Sequence, residues 1–298
     1  MNLFPYLRRY KKYNLKKKKY KDITFIKKLG EGSSGSVYKS IVDNKKCVIK
    51  IYSIEKYLSL EDLINDVHNE IHISSLLENT NYCNVINSFS VYNRLHHVNL
   101  YLISKYYKNS IDLRDLLSYN YISNNWILYI NDRIDIIKQI ILGLKELHKV
   151  NVIHSDIKLE NIITYKKNNS YKIKIIDYGT CCHLNKEQKY YDKSEYDYHF
   201  GTLGYMSSEA YYTNKLYYSS DIYSLFVCIL ELIVGKIWSN IKKETFKSCI
   251  NDIKLGIEKL NNLSIKEYIQ KCLSLKHSNR YNINHIVINF NTILEQLI

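Results

Sequence analysis

The chain reads His154-Ser155-Asp156-Ile157-Lys158-Leu159-Glu160-Asn161, and Asp177-Tyr178-Gly179 follows downstream. This pattern narrows the options more than any other, because it sets carboxylate, ammonium and amide groups at fixed offsets. Asp156 can accept a hydroxyl proton, Lys158 can neutralise a moving phosphoryl group, and Asn161 and Asp177 offer oxygen ligands to Mg²⁺. A merely polar loop between a helix and a strand would leave that spacing unexplained. The flanks supply the context: Ile134, Ile137, Ile140, Ile141, Leu144 and Leu147 recur at helical spacing and predict a core-facing helix ending near His148. The alternation from Tyr171 to Ile176 predicts a strand that delivers Asp177, so Asn161 and Asp177 are expected close in space.

Upstream, Gly30-Glu31-Gly32-Ser33-Ser34-Gly35-Ser36-Val37 fits G-x-G-x-x-G-x-V, and Lys50 closes the run Cys47-Val48-Ile49-Lys50. Glycines there let a backbone approach phosphates closely, and Lys50 would reach the first two phosphates of a nucleotide. Glycines so spaced also open dinucleotide folds, but those place a helix directly after them. Here Ser36 to Ser40 and Lys46 to Tyr52 read as strands.

Taken in order, these motifs resemble the eukaryotic protein kinase family over roughly residues 22 to 290. The resemblance implies an α+β, bilobal protein kinase fold: a small antiparallel β-sheet lobe with one main helix, and a larger, mainly α-helical lobe. The expected layout is a basic N-terminal extension over 1–21 and a kinase domain over 22–298, with lobes at about 22–104 and 108–298. It implies a serine/threonine kinase using ATP and Mg²⁺. Lys50 resembles the strand lysine and Glu70, in the helical stretch Leu60 to Leu77, its ion-pair partner. Asp156 resembles the catalytic base, Lys158 the lysine on the transferred phosphate, and Asn161 and Asp177 the Mg²⁺ ligands. Gly30, Glu31, Gly32, Ser33, Gly35, Val37 and Val48 would surround the nucleotide with Lys50. Ser104 falls at the gatekeeper position, Lys105 and Tyr107 would offer backbone groups to adenine, and Asp112 would reach the ribose.

Gly201 to Glu209 resembles the end of an activation segment. Thr202 matches the threonine that serine/threonine kinases set beside the catalytic Asp and Lys. Asp221 resembles the residue that holds the catalytic loop, and Arg280 the partner of Glu209; the choice is between a buried structural pair and two solvated charges. Glu160 and Glu231 match positions that bind arginine upstream of the acceptor in basophilic kinases, which implies a mild basic preference. Several positions depart from the family pattern. Ser155 stands where many members carry Arg, which removes a contact of the usual phosphate switch. Tyr178 replaces Phe and adds a hydroxyl needing a partner. Ser208 replaces Pro, and Phe226 fills a position often held by Gly. Ser74, Ser88 and Ser104 fall where large apolar side chains usually pack, so either the wall behind the nucleotide is polar or this register is shifted by one.

With 298 residues and 46% hydrophobic content, the chain can bury a sizeable core. Pro5 is the only proline and Ala210 the only alanine, while Lys, Asn, Ile and Tyr abound, as AT-rich coding would produce. The net charge of +14 partly reflects that drift. Basic residues still concentrate at Arg8, Arg9, Lys11, Lys12, Lys16 to Lys19 and Lys21, a segment suited to a nucleic acid or an acidic surface, or to simple solvation. The seven cysteines show neither zinc-ligand spacing nor a disulfide framework, which predicts an intracellular setting, cytoplasmic or nuclear. Cys181 and Cys182 are either ordinary thiols or a reactive pair. The stretch Ile222 to Val234 is too short to span a membrane and reads as a buried helix. Protein substrates are the expected partners. The rival functions are a pseudokinase-type nucleotide-binding or scaffolding module, and a nucleic-acid-binding protein acting through the basic segment.

Overall fold

The computed structural model describes residues 16–17, 22–32, 35–94, 97–122, 128–194, 201–238 and 245–295. Ser33, Tyr196, Tyr198 and all of the basic segment except Lys16 and Lys17 lie outside the described residues. The chain divides into two compact units. The first takes residues through Asn79, Asn84–Lys108 and Asp177–Gly179, and the second takes Thr80–Cys83, Asn109–Ile176 and Thr180 onward. This differs from a single cut near residue 105, and hydrogen bonds explain why. Tyr82 carbonyl accepts from Ile175 N–H at 2.7 Å, and the Glu146 carboxylate accepts from Asn81 and Tyr82 N–H at 2.8 and 2.9 Å, tying this short stretch into the second unit. Tyr178 Oη donates to Asn84 carbonyl at 2.8 Å within the first, which gives the extra hydroxyl its partner.

The first unit is built on strands β1 (Lys16–Lys17), β2 (Ile23–Glu31), β3 (Ser36–Val42) and β4 (Lys45–Ser53), helix α1 (Leu60–Leu76), and strands β5 (Ile86–Arg94) and β6 (His97–Lys105). They form one sheet in the order β1-β5-β6-β4-β3-β2, antiparallel except that β1 joins β5 in parallel. Asp43 and Asn44 both take positive φ, 48° and 60°, which supplies the tight turn between β3 and β4. Ser59 starts α1 by accepting from Asp62 N–H at 3.1 Å. The helix then buries Leu63, Ile64, Val67 and Ile71 against Tyr52, Phe89, Leu100 and Leu102 of the sheet.

The second unit begins with β7 (Ile111–Asp112) and continues with α2 (Leu113–Ile122), α3 (Ile130–Lys149), β8 (Val152–Ile153), β9 (Ile162–Lys167), β10 (Ser170–Ile175), β11 (Cys182–His183) and β12 (Tyr191–Asp192). It ends with α4 (Ser208–Thr213), β13 (Lys215–Leu216), α5 (Tyr218–Val234), α6 (Phe246–Glu258), α7 (Leu263–Cys272) and α8 (Ile283–Leu294). The predicted apolar face of α3 is buried, from Ile134 to Leu147. Helix α5 is buried on every side from Ser220 to Leu232, which is why its sequence is apolar without amphipathic spacing. Phe226, in place of the common Gly, is fully buried there against Phe290 at 5.2 Å between ring centroids. All seven cysteines are free and buried, and burial pushes the Cys182 thiol up, against a reactive role for it.

Glu209 of α4 and Arg280 form a buried fork, with Nη1 to Oε1 at 2.7 Å and Nη2 to Oε2 at 2.9 Å. Arg280 also donates to the carbonyls of Ser219 and Ser274, both at 2.8 Å, so the pair is structural rather than solvated. Burial alone would raise the Glu209 carboxyl, but the bonds from Arg280 outweigh it and hold the group below its ordinary 4.5. Its contribution to stability is therefore present above that pH and is lost as pH falls through the depressed value. Arg280→Met should cost about 3–5 kcal/mol by urea unfolding at neutral pH, since it strands a buried carboxylate. The sign of that residue's acid dependence should also invert, with the variant regaining stability relative to wild type as Glu209 protonates. A loss below about 0.5 kcal/mol, the scale of ordinary surface substitutions, would refute the structural role.

Candidate active site

In the first unit, strand register sets the candidate nucleotide residues. Val37 pairs with Lys50, Lys50 with Leu102, and Val48 with Ser104. Opposite residues share a side and alternate residues return to it, so all five lie on the sheet face that also packs α1. Lys50 Nζ meets Glu70 Oε2 at 2.9 Å and Asp177 Oδ1 at 2.7 Å. Burial disfavours the ammonium, but the two carboxylates more than offset this and hold its pKa above the ordinary value. Burial pushes the Glu70 carboxyl up despite Lys50, and Tyr52 Oη donates to Glu70 as well. Asp177 takes φ +67°, a left-handed conformation that a non-glycine residue holds only when its contacts enforce it.

The glycine-rich turn closes through Gly32 N–H to Gly35 carbonyl at 2.9 Å. A Cβ on Gly35 would lie 2.2 Å from Ile51 carbonyl oxygen, so only glycine lets these backbones approach, whereas Gly30 and Gly32 border open space. Lys56 was not marked by sequence. Its Nζ donates to Gly32 carbonyl at 3.0 Å and pairs with Glu31 Oε1 at 2.9 Å, latching the turn. Lys28 and Lys56 draw the Glu31 carboxyl down to about 2. Ser104 is half-buried at the end of β6, and Lys105 and Tyr107 follow it, with the Lys105 ammonium 5.4 Å from the Tyr107 ring centre. Ser74 and Ser88 are buried. Ser74 Oγ accepts Ile86 N–H at 2.7 Å, where β5 shifts register against β6.

In the second unit, the loop after β8 gathers the remaining residues. Thr202 Oγ1 donates to Asp156 Oδ1 at 2.7 Å and accepts from Lys158 Nζ at 2.7 Å. Lys158 also pairs with Asp156 Oδ2 at 2.7 Å. Asn161 Nδ2 donates to Asp156 carbonyl at 2.8 Å and Oδ2 at 3.1 Å. Spending its nitrogen on Asp156 fixes the amide orientation and turns its oxygen toward other uses. Gly201, at φ +106°, brings its backbone against Ser155, where a Cβ would sit 2.7 Å from that carbonyl. The fully buried Asp221 carboxylate accepts from His154 N–H at 2.8 Å, Ser155 N–H at 2.9 Å and His148 Nε2 at 3.0 Å. Asp112, the expected ribose residue, caps α2 by accepting from Asp115 N–H at 2.8 Å, and burial raises its carboxyl.

As for Mg²⁺ and a nucleotide, an amide oxygen and a carboxylate are hard donors of the kind Mg²⁺ takes together with phosphate oxygens, and Asn161 in the second unit and Asp177 in the first each offer one. Room beside Gly30 and Gly32 fits a phosphate chain.

A protein kinase domain family model matches residues 23–289, and the chain belongs to the protein kinase family, with its bilobal α+β fold. It is 27% identical over 92% of its length to the RGS domain-containing serine/threonine-protein kinase A of Dictyostelium discoideum, of which it covers 23%. It is 34% identical over 70% of its length to a G-type lectin S-receptor-like serine/threonine-protein kinase of Arabidopsis thaliana, covering 25% of that protein. It is 27% identical over 71% to the serine/threonine-protein kinase pakA of Talaromyces marneffei, covering 29%. The chain thus spans about a quarter of the length of the curated relatives it matches. Among the described residues no helix is long and apolar enough to cross a membrane.

Ser74→Ala would leave the buried Ile86 N–H without its acceptor, at an expected cost of about 1–3 kcal/mol in urea unfolding. A change below about 0.5 kcal/mol would mean that the serine hydroxyl is not what holds the β5 register.

Proposed function

We propose that this chain is an active serine/threonine protein kinase. Mg-ATP would supply the γ-phosphoryl group, and the acceptor would be a hydroxyl of a protein serine or threonine. The observation that carries this reading is the closed set of bonds among Asp156, Lys158, Asn161 and Thr202. Asp156 would orient the acceptor hydroxyl and take its proton. Lys158 would stand over the oxygens that gain charge in the transition state. Asn161 and Asp177 would hold the divalent ion. Lys50, kept protonated and steered by Glu70, would position the phosphates, and the turn over Gly30, Glu31, Gly32, Ser33 and Gly35 would cover them. Val37, Val48 and Ser104 would line the base, Lys105 and Tyr107 would bond it through their backbone, and Asp112 would meet the ribose. Thr202 supports Ser/Thr acceptors because its hydroxyl already bridges Asp156 and Lys158. Apart from the proton taken by Asp156, these roles are positioning or charge stabilisation, the two contributions that dominate phosphoryl transfer.

Asp156→Asn should retain nucleotide binding and lose roughly 10²- to 10⁴-fold in turnover. Lys50→Met should abolish turnover by misplacing the phosphates. Transfer from labelled Mg-ATP to a degenerate peptide library reads both, and phosphoamino-acid analysis should give phosphoserine and phosphothreonine. Wild-type rates in both variants, or mainly phosphotyrosine, would defeat the assignment.

Regulation follows from Ser155. Its Oγ donates to Thr180 carbonyl at 2.8 Å, and Lys193, itself buried, donates to the same carbonyl at 3.2 Å. The cation beside the loop therefore comes from the activation segment and is already engaged without a phosphate. Phosphorylation over residues 180–200, Ser194 included, should change activity by less than about tenfold, or about 1.4 kcal/mol. Phosphatase-stripped and fully phosphorylated enzyme are the two samples to compare; a hundredfold difference would restore the phosphate switch.

A further inference from the structure

Strand alternation puts one more residue beside Lys50 than the proposed chemistry uses. Tyr52 follows it by two in β4, so both side chains leave the sheet on the same face, the one that packs α1. Lys50 pairs across with Leu102 and Tyr52 with Leu100. Tyr52 is completely buried, in a cluster with Leu63, Val67, Leu100 and Leu102, and an aliphatic side chain would satisfy such apolar surroundings equally well. The hydroxyl is therefore the part of this residue that packing leaves unexplained, since a buried phenol needs a partner.

That partner is the ion pair on Lys50. Tyr52 Oη donates to Glu70 Oε2, the oxygen that also accepts from Lys50 Nζ at 2.9 Å, so one carboxylate oxygen on α1 is held by two donors from β4. The ring of Tyr52 faces the same ammonium, with Nζ 4.9 Å from the ring centre, inside the range of a cation–π contact. The segment Asp177–Gly179 reaches the same point. A Cβ on Gly179 would lie 3.9 Å from Tyr52 Oη, 3.9 Å from Lys50 Nζ and 3.7 Å from Asp177 Oδ1. Glu70 and Asp177, the latter at 2.7 Å, compete for one ammonium on a flexible four-carbon stem. Tyr52 removes much of that freedom, on one side through its ring and on the other by anchoring Glu70.

We propose that Tyr52 is a positioning residue for the nucleotide phosphates: its hydroxyl fixes Glu70 and its ring fixes the ammonium, so that Lys50 stays where it can meet a phosphate instead of following Asp177 alone. This rests on the kinase reading for the identity of the ligand. The effect belongs to the phosphates, because Tyr52 acts through Lys50, and an adenine or a ribose makes no use of that ammonium. Phenylalanine at position 52 keeps the ring and its apolar contacts. It removes one of the bonds that offset the desolvation of a buried carboxylate, and Glu70 then holds Lys50 less firmly. Leucine removes the ring as well.

The test is calorimetric titration of the full chain with ADP and with adenosine in the presence of Mg²⁺, which needs no turnover. Tyr52→Phe should weaken ADP by about three- to tenfold, the scale of one hydrogen bond, and adenosine by less than about twofold. Tyr52→Leu should weaken ADP by at least about tenfold, with adenosine within about threefold of wild type. If circular dichroism shows that the leucine variant does not fold, the phenylalanine variant decides alone. Equal losses for the two ligands would reduce Tyr52 to a packing residue, and an unchanged ADP affinity in Tyr52→Phe overturns the proposal as well. Phosphate transfer from Mg-ATP to a serine peptide is measured on the same samples. A wild type that binds ADP but transfers nothing sinks the kinase reading, while the ratios of ADP to adenosine affinity still decide the role of Tyr52. A wild type that binds neither ligand overturns both.

Discussion

The buried carboxylate of Asp221 is the constraint on which the second unit's chemistry depends. It lies on α5, the helix enclosed on every side, and it accepts two successive backbone N–H groups, from His154 and Ser155. Those bonds hold Ser155 at φ +66°, a left-handed conformation that costs a non-glycine residue of order 1–3 kcal/mol. The bend carries Asp156 to Thr202 and Lys158, and its exactness of placement is inherited from the rigidity of α5. A loop of the same sequence without Asp221 would have two stranded donors and no reason to keep the bend. A buried apolar helix thus sets the bend of the loop that carries Asp156 through one side chain.

The elements around the site were largely legible in the sequence, because their signals are local. Apolar spacing predicted α3 to near His148, and the helix runs Ile130–Lys149. Strand alternation predicted β10, found at Ser170–Ile175, and the stretch before Leu77 proved to be α1 at Leu60–Leu76. The pairings of Lys50 with Glu70 and of Glu209 with Arg280 followed from the family resemblance and not from spacing, since 20 and 71 residues separate the partners.

What escaped sequence reading is what several distant elements build together. Arg114 and Tyr205 both bond the buried Glu231, from 117 and 26 residues away, and nothing local in the sequence marks those bonds. Lys56 and Lys193 were lost among the 43 basic residues of a chain rich in lysine, where one engaged ammonium looks like any other. Ser74 and Ser88 were visible as misplaced polar residues, but not their use. A serine inside an apolar wall is tolerated when it satisfies a backbone donor, and the irregular pairing of β5 creates such a donor at Ile86.

Lys50 ties helix α1 to the segment Asp177–Gly179 within the first unit. Its ammonium is shared between Glu70, on a helix, and Asp177, on a short segment held at positive φ. Asn69 of the same helix donates to Gly179 carbonyl at 3.5 Å, so α1 reaches that segment directly as well as through Lys50. If α1 moved outward, Lys50 would keep Asp177, but Glu70 would lose the cation that opposes its desolvation. Burial already raises the Glu70 carboxyl, and an unpaired Glu70 would either protonate or turn to solvent. The position of α1 is therefore favoured by the ion pair, which Tyr52 supports by donating to the same Glu70 oxygen. With the loop around Ser155 held by Thr180, Lys193 and Asp221, the element whose displacement would most change Lys50 is this helix.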